Sequence, residues 1–493
     1  MKILLIYPQY PDTFWGFKYA LKFVSKKATL PPLGLMTVAA MLPREWERKL
    51  VDLNVSSLTD AQLEWADMAF ISAMTIQEKS AREVIDRCRK KGVKIAAGGP
   101  LFTTQSSDFE PLVDHLVLKE AEGSFPPFLA DLENGCARGV YTCEDWPDVQ
   151  QSPCPEWPLV NFKKYDSIGI QYSRGCPFNC DFCDILILNG QIPRVKSKEQ
   201  ILCELDAIYQ LGWRDGVFFV DDNFIGNRAV LKKELLPALI DWMKQRKHPF
   251  HFFTETSINL ADDEELMQLM VQAGFNKVFV GIETPHEESL VECNKYHNQN
   301  RDLMTSVKKM QNHGFEVQGG FIIGFDNDPP SIFEKQIRFI QQSGIVTAMV
   351  GLLTAFQGTP LYKRMEKENR LVHDSSGDNT DFSLNFIPIM NRETLIDGYR
   401  GVLKTIYAPK EYCKRVITFL KEYKPFPLRK KLNIQPVYLG AFFKSIWHLG
   451  IKNKGRWYYW KLISWTILRR PRLFSRAVTH AILGFHFRKI FVG

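Results

Sequence analysis

The chain has 493 residues, 45% of them hydrophobic and 24% charged, with a net charge of +8. These values exclude a disordered chain and a small disulfide scaffold, and they predict two or three globular domains. Ten cysteines without short-period pairing outside one stretch predict a reducing, cytoplasmic compartment. The charge is uneven. From Gly401 onward about twenty Lys and Arg face only Glu411 and Glu422, so the first 400 residues are net acidic. The split predicts a polyanionic partner, membrane or nucleic acid, for the basic end.

In residues 1–132 strands and helices alternate. The opening run, Ile3 to Tyr7, is too short for a signal peptide and reads as a strand covered on both faces. Similar runs follow at residues 49–53, 68–72, 93–97 and 115–118. Between them Ala81, Val84, Ile85 and Cys88 fall on one helical stripe. The pattern predicts an α/β domain with a doubly wound, flavodoxin-like (Rossmann-like) parallel sheet. Its ligands belong at the carboxyl ends of the strands. The candidates there are Ser72, Thr75, Gly98, Gly99, Glu120 and Glu122. No GxGxxG follows a strand, which argues against a dinucleotide. A sheet that binds nothing, or binds a partner protein, stays open.

Residues 133–165 read as an ordered linker rich in Pro, Trp and Asp. Cys136, Cys143 and Cys154 are irregularly spaced, as spare thiols are, with a second metal site the other reading.

Residues 166–370 open with Cys176, Cys180 and Cys183 at CxxxCxxC spacing, with Phe182 before the last. Thiolates ligate iron–sulfur clusters, and three of them on a four-iron cubane leave one iron open for chemistry. A zinc knuckle would need a fourth ligand, and neither Cys203 nor His248 is close in sequence; three buried free thiols are the remaining alternative. Ser197 and Gln200 form a capping-box signature for the next helix. Strands are predicted near residues 167–173, 216–220, 250–254, 277–281, 315–323 and 347–353, enough for a partial barrel. Their C-terminal ends carry Asp221, Asp222 and Asn223, then Glu255, then Glu283, then Gly320, Ile322 and Gly324. In barrels such ends hold the catalytic groups.

Residues 371–493 lose the alternation and read as a mainly helical accessory domain. Phe474, Val478, Ala481, Ile482 and Phe485 form an apolar stripe that predicts an amphipathic helix over residues 472–487. Before it, Lys452 to Lys461 mixes cations with aromatic residues. Peripheral membrane contact is the first reading, a helical cap on the barrel the second and nucleic acid the third.

Taken together, these motifs resemble the cobalamin-dependent radical S-adenosylmethionine (SAM) enzymes. The resemblance rests on the cysteine loop, the Gly98-Gly99-Pro100 turn, the stretch from Phe218 to Asn227, Gly281-Ile282-Glu283-Thr284-Pro285 and Gly358-Thr359-Pro360-Leu361-Tyr362. It is closest to the branch with its own C-terminal domain that includes the hopanoid methylases. It implies an N-terminal cobalamin domain, a radical SAM (β/α)6 barrel and three cofactors: a [4Fe-4S] cluster, SAM and cobalamin. It further implies that the open iron chelates SAM. Phe182 would lie near the adenine, backed by Gly320, Ile322 and Gly324. Asp221, Asp222 and Asn223 would hold the ammonium group, and Glu255 and Glu283 would reach the ribose and carboxylate. Many cobalamin proteins place Asp-x-His below the cobalt. Here the region reads Asp52-Leu53-Asn54, so a cobalt without a histidine ligand is expected.

The implied activity is methyl transfer to an unactivated carbon, possible for a lipid substrate, with a flavodoxin- or ferredoxin-type electron donor. An oxidoreductase or cyclase using the same cofactors is the alternative, and a non-enzymatic cobalamin or redox sensor the third reading.

Overall fold

The computed structural model describes residues 1–373, 375–378, 381–426 and 436–491. The first sheet holds β1 (Lys2–Tyr7), β2 (Glu47–Asp52), β3 (Met68–Ser72), β4 (Lys94–Gly98), β5 (His115–Val117) and β6 (Val140–Tyr141). All pair in parallel, in the order β2-β1-β3-β4-β5-β6. In β1 the reason for the unbroken apolar run is visible. Ile3 and Leu5 enter the core shared with the rest of the chain. Leu4 and Ile6 enter a second core with Ala81, Val84, Ile85 and Cys88 of α1 (Glu78–Lys90). Helix α2 (Ala121–Glu133) leaves the end of β5. Strand β6 comes from residues read as linker. Two residues carry no periodic signal; tertiary packing places them, with Tyr141 buried against Phe128 and its hydroxyl donating to Asp131 at 2.8 Å.

The second sheet runs β14-β13-β12-β11-β10-β7 and is wholly parallel. Its strands are β7 (Ile168–Ile170), β10 (Gly216–Phe219), β11 (His251–Thr256), β12 (Phe275–Glu283), β13 (Glu316–Ile323) and β14 (Ala348–Leu352). Strands β7 and β14 do not pair, so the barrel is partial, as expected from six strands with crossover helices. Two short strands, β8 (Ser173–Arg174) and β9 (Arg194–Val195), pair antiparallel and form the stem of the cysteine loop. Helix α3 (Lys198–Gln210) begins at the Ser197/Gln200 capping box, whose two reciprocal bonds are both present.

The alternation along each barrel strand separates two faces. Val278, Val280 and Ile282 are buried towards the surrounding helices. Phe218, Phe253, Glu255, Phe279 and Met349 are only half-buried and face the lumen. Register aligns them: Phe218 opposes Phe253, Glu255 opposes Phe279, and Gly320 opposes Met349.

Five further helices follow: α4 (Arg392–Tyr407), α5 (Pro409–Glu422), α6 (Pro436–Ser445), α7 (Arg456–Arg469) and α8 (Phe474–Phe491). Helix α4 lies along the open edge at β14. Tyr399 and Tyr407 donate their hydroxyls to the carbonyls of Val350 and Ala348, at 3.0 and 2.6 Å, which satisfies acceptors a closed barrel would have paired.

The apolar stripe predicted over residues 472–487 is real, but it does not face a membrane. Val478, Ala481 and Ile482 are buried within the helical layer. Phe474 meets Phe442 at 5.2 Å and Phe485 meets Phe23 at 5.9 Å, while on the opposite face Phe487 stacks on Phe14 at 4.5 Å and Arg476 pairs with Glu316 at the start of β13 at 2.5 Å. A periodic stripe reports that something apolar covers it, not what.

Candidate active site at the strand ends

The cysteine loop is held from three sides. Gly175 sits at φ +95°, and a Cβ there would lie 2.8–3.1 Å from the carbonyl oxygens of Ile192, Gly190 and Asn189. Only glycine takes this turn without strain. Cys176 donates its amide to Gly190 at 3.2 Å, and Asp181 donates its own to Cys293 at 3.1 Å. The amide of Leu361 donates to the carbonyl of Asp181 at 3.0 Å, so the Gly358–Tyr362 turn is part of the loop's support. Phe178 stacks on His297 with centroids 3.6 Å apart. Burial pushes up all three thiols, Cys180 to about 11, so each holds its proton until iron replaces it. Among the described residues no three His, Cys, Asp or Glu groups converge on a point for one ion. A cubane makes no such demand, because each thiolate binds a different iron.

The acids at the strand ends divide by role. Asp221 is fully buried and accepts from the amides of Tyr172 and Ser173 and from the Ser173 hydroxyl. Burial outweighs these bonds and raises its carboxyl to about 7. Asp222 accepts from the Gly175 amide at 2.8 Å and from Asn189 at 2.9 and 3.0 Å. Both therefore brace the root of the cysteine loop, a use the expectation of ammonium contacts missed. Asn223 bonds Ser257, at 3.2 Å through its amide nitrogen. Glu255 is different. Its carboxylate takes no hydrogen bond from the described residues, and burial, with Asp222 and Asp221 beside it, raises it to about 7. A cation is what this group lacks.

Glu283 ends β12 at φ +61°, outside the ordinary range for a residue with a side chain. Its carboxylate pairs with Lys295 at 2.6 Å, both side chains buried. Asn298 donates to the carbonyls of Gly281 and Ile282 at 3.1 and 3.0 Å and fixes the same turn. The Lys295 ammonium lies 5.9 Å above the Phe182 ring. Phe182 meets Phe325 edge-on at 6.3 Å and shares an apolar cluster with Ile322. Gly324, at φ +111°, donates to Asp328 at 2.8 Å. Gly320 faces Phe279, whose ring would be 2.8 Å from a Cβ there. Sequence reasoning missed Lys295, Asn298 and Asn189. The only signal was a run of polar residues after β12 and an Asn-Gly pair after the cysteines.

At the first sheet Ser72, Gly98 and Gly99 meet. A Cβ on Gly99 would lie 2.7 Å from the Ser72 hydroxyl, and one on Gly98 2.7 Å from the Val117 carbonyl. Thr75 opens a short turn after β3, and Gly377 of the C-terminal part packs on it. Trp15 reaches from this domain over the barrel lumen, donating to the Met349 sulfur at 3.1 Å and meeting Phe279 edge-on at 5.4 Å. Glu120 and Glu122 turn elsewhere. Arg174 contacts both, at 2.7 and 2.8 Å, and Arg194 contacts Glu120 at 2.5 Å. Expected at the ligand edge, these two buried carboxylates here neutralise two guanidinium groups.

Comparison with known proteins agrees with this geometry. Residues 23–129 match the B12 binding domain, residues 170–340 the radical SAM superfamily, and residues 359–492 a domain of unknown function, DUF4070. An uncharacterised methyltransferase of Synechocystis sp. is 40% identical over 99% of this chain and 91% of its own. The hopanoid C-2 methylase of Rhodopseudomonas palustris is 33% identical over 95% of this chain and 90% of its own. The solved structure of OxsB, a cobalamin-dependent SAM radical enzyme, shares the fold with a TM-score of 0.65. It covers 99% of this chain and 79% of that one at 13% identity. The chain belongs to the cobalamin-dependent radical SAM methyltransferases.

In a cobalamin-dependent radical SAM methyltransferase the first domain takes cobalamin and the barrel takes a [4Fe-4S] cluster and SAM. The residues present fit that set: three thiols on one braced loop, a Glu255 with no partner among the described residues beside the acids that brace it, and a first sheet whose ligand edge is small and glycine-rich. Asn54, standing where other cobalamin proteins have histidine, turns inward. It accepts from the Tyr10 amide at 2.9 Å and donates to the Pro8 carbonyl at 3.2 Å. His115 is buried in β5 with Nδ1 2.7 Å from the Arg138 carbonyl, away from the ligand edge.

Proposed function

We propose that this methyltransferase acts on an apolar lipid with a polycyclic or extended hydrocarbon framework, at an unactivated carbon. One observation carries the reading. Beside and below the polar groups Glu255, Glu283 and Lys295, the lumen presents Phe218, Phe253, Phe279 and Met349, with Trp15 across it. The Phe218 and Phe253 rings stack at 4.8 Å. Aromatic side chains left half-buried inside a barrel suit a partner that removes their remaining surface from water. The hopanoid C-2 methylase, a relative over 95% of this chain, supports the same substrate class.

Together the bound cofactors supply an activated methyl group and the means to remove a hydrogen from carbon. The chain's own contribution is placement. Glu255 takes the ammonium group of SAM, whose charge would pull its carboxyl back down from about 7. Lys295, held by Glu283, presents a cation beside the cluster loop for the SAM carboxylate. Phe182 and Ile322 offer the adenine an apolar wall. Trp15 closes the lumen from the cobalamin side and keeps water from the reacting carbon. Electrons would come from a flavodoxin- or ferredoxin-type donor.

Mass spectrometry of lipid extracts from cells with and without the gene tests the reading. The expected result is one lipid class heavier by a methyl group only when the gene is present. The same lipid, given to the reconstituted enzyme, should yield S-adenosylhomocysteine beside 5′-deoxyadenosine. Unchanged lipid profiles, with methylation of a water-soluble compound instead, would refute it.

We also propose peripheral contact with an anionic leaflet, through the cation- and aromatic-rich stretch from Lys452 to Lys461 and the exposed residues around it, without the stripe of α8. No helix among the described residues is long and apolar enough to cross a membrane. In α6 and the turn after it, Leu439, Phe443, Trp447 and Ile451 recur every fourth residue and are all exposed. Helix α7 adds Trp457 at 74% exposure and Leu468 at 79%. Lys452, Lys454, Arg456, Lys461 and Arg469 are exposed among them, and no acid occurs after Glu422. Each cation at an anionic surface adds about 1 kcal/mol, and inserted tryptophan adds apolar burial. Sedimentation with anionic vesicles should exceed that with neutral ones and weaken as salt rises. Replacing Trp457 and Leu468 with serine should abolish it. Equal partitioning to both vesicle types, or none to either, would leave α6 and α7 as a cap.

A further inference from the structure

The two acids diverted from the ligand edge have a use that follows from where they sit. Glu120 stands at the end of β5 and Glu122 in the first turn of α2, both in the cobalamin domain. Arg174 is on β8, two residues before Cys176, and Arg194 is on β9, the other strand of the same stem. The four side chains are between 2% and 16% exposed and their charges cancel. Arg174 is bidentate to Glu122, with Nη1 and Nη2 both at 2.8 Å, and Nη1 reaches Glu120 at 2.7 Å. Arg194 grips Glu120 through both nitrogens, at 2.9 and 2.5 Å. The linker joins in: Ser152 donates to Glu122, and Arg194 donates to the Pro147 carbonyl at 2.7 Å. Burial would raise the Glu122 carboxyl, but Arg174 outweighs it and holds the group down at about 2.

The stem is thus gripped on both sides. Asp221 and Asp222 tie Ser173 and Gly175 to the barrel, and Glu120 and Glu122 tie Arg174 and Arg194 to the cobalamin domain. Fork-to-fork guanidinium pairs are directional, unlike a lysine pair, so they fix orientation as well as distance.

We propose that the Glu120/Glu122–Arg174/Arg194 network is a positioning device that sets the distance and orientation between the iron–sulfur cluster and the cobalt. The chemistry needs this. The carbon that loses hydrogen at one cofactor must collect a methyl group from the other, and small misplacements of reacting groups are costly. The proposal rests on the family assignment and goes beyond it, because it gives these four residues no contact with either cofactor.

The test reads geometry, not turnover. In the reconstituted full chain, the reduced cluster shortens the electron-spin relaxation of cob(II)alamin to an extent set by their separation. The parent should show a single relaxation component. The variants are Glu120→Gln/Glu122→Gln, which removes the anions, and Arg174→Lys/Arg194→Lys, which keeps every charge and loses only the forks. The lysine pair guards against a misfolded glutamine pair. Iron and cobalamin contents measured on the same samples show whether the family assignment itself stands. With those contents at parent level, both variants should lose the single component and show a spread of slower ones. An unchanged single component in the lysine pair overturns the proposal. So does loss of cobalamin from the glutamine pair alone, which would return Glu120 and Glu122 to the cofactor as ligands.

Discussion

Replacing Cys176, Cys180 and Cys183 together by alanine is expected to reduce bound iron from about four atoms per chain to background, and to abolish reductive cleavage of SAM. The three thiols sit on one loop that the turn at Gly175, the backbone bonds of Asp181 and the carboxylate of Asp222 hold in place, so their removal leaves the loop but takes away its ligands. Cys293 is the natural control. It is buried near Cys180, and its thiol lies 3.7 Å from the Leu290 carbonyl, a local bond within its own turn. Cys293→Ala should keep the full complement of iron. Cobalamin binding should survive the triple substitution, because the first sheet and its own core beneath α1 do not include the loop. Iron and sulfide analysis after anaerobic reconstitution decides the matter. Parent-level iron in the triple variant, or loss of iron in Cys293→Ala alone, would move the cluster elsewhere.

Lys295→Met should be a strongly destabilising substitution outside the hydrophobic core. Lys295 and Glu283 are both buried and bonded at 2.6 Å. Removing the cation strands a carboxylate among the cysteines, on a residue already held at φ +61°. Breaking a buried pair from one side costs about 3–5 kcal/mol, because the remaining charge keeps its desolvation penalty and loses its partner. Glu283→Gln/Lys295→Met removes both charges, so it should recover most of that loss while still impairing SAM binding. Chemical denaturation of the cluster-free protein, followed by tryptophan fluorescence, separates stability from cofactor effects. A cost under about 0.5 kcal/mol for Lys295→Met, the range of ordinary surface changes, would show that solvent already reaches Glu283.

The sequence by itself determined the order of the domains, nearly all of the strands and the cysteine loop. These are local properties. A strand covered on both faces writes itself as an unbroken apolar run, as at Ile3 to Tyr7, and a capping box is four residues long, as at Ser197 to Gln200. Three thiols within eight residues reach one cluster whatever the remainder of the chain does. Tertiary structure alone decided the partners of groups whose character was plain but whose neighbours were distant. Glu122 and Glu120 were legible as acids at a strand end, yet the arginines that claim them lie 52 and 74 residues away. Asp221 and Asp222 read as ammonium ligands, and the chain folds its own loop amides onto them first. The stripe of α8 read as a membrane face because periodicity records that a surface is apolar, not whether protein or lipid covers it. Packing against Phe23 and Phe442 covers it with protein and leaves the exposed tryptophans of α7 as the free surface. Glu255 is the opposite case. Its type and position were visible in the chain, but only the folded strand ends show that no donor among the described residues reaches it. An acid that folding leaves without a partner is the one free to take a cation from outside.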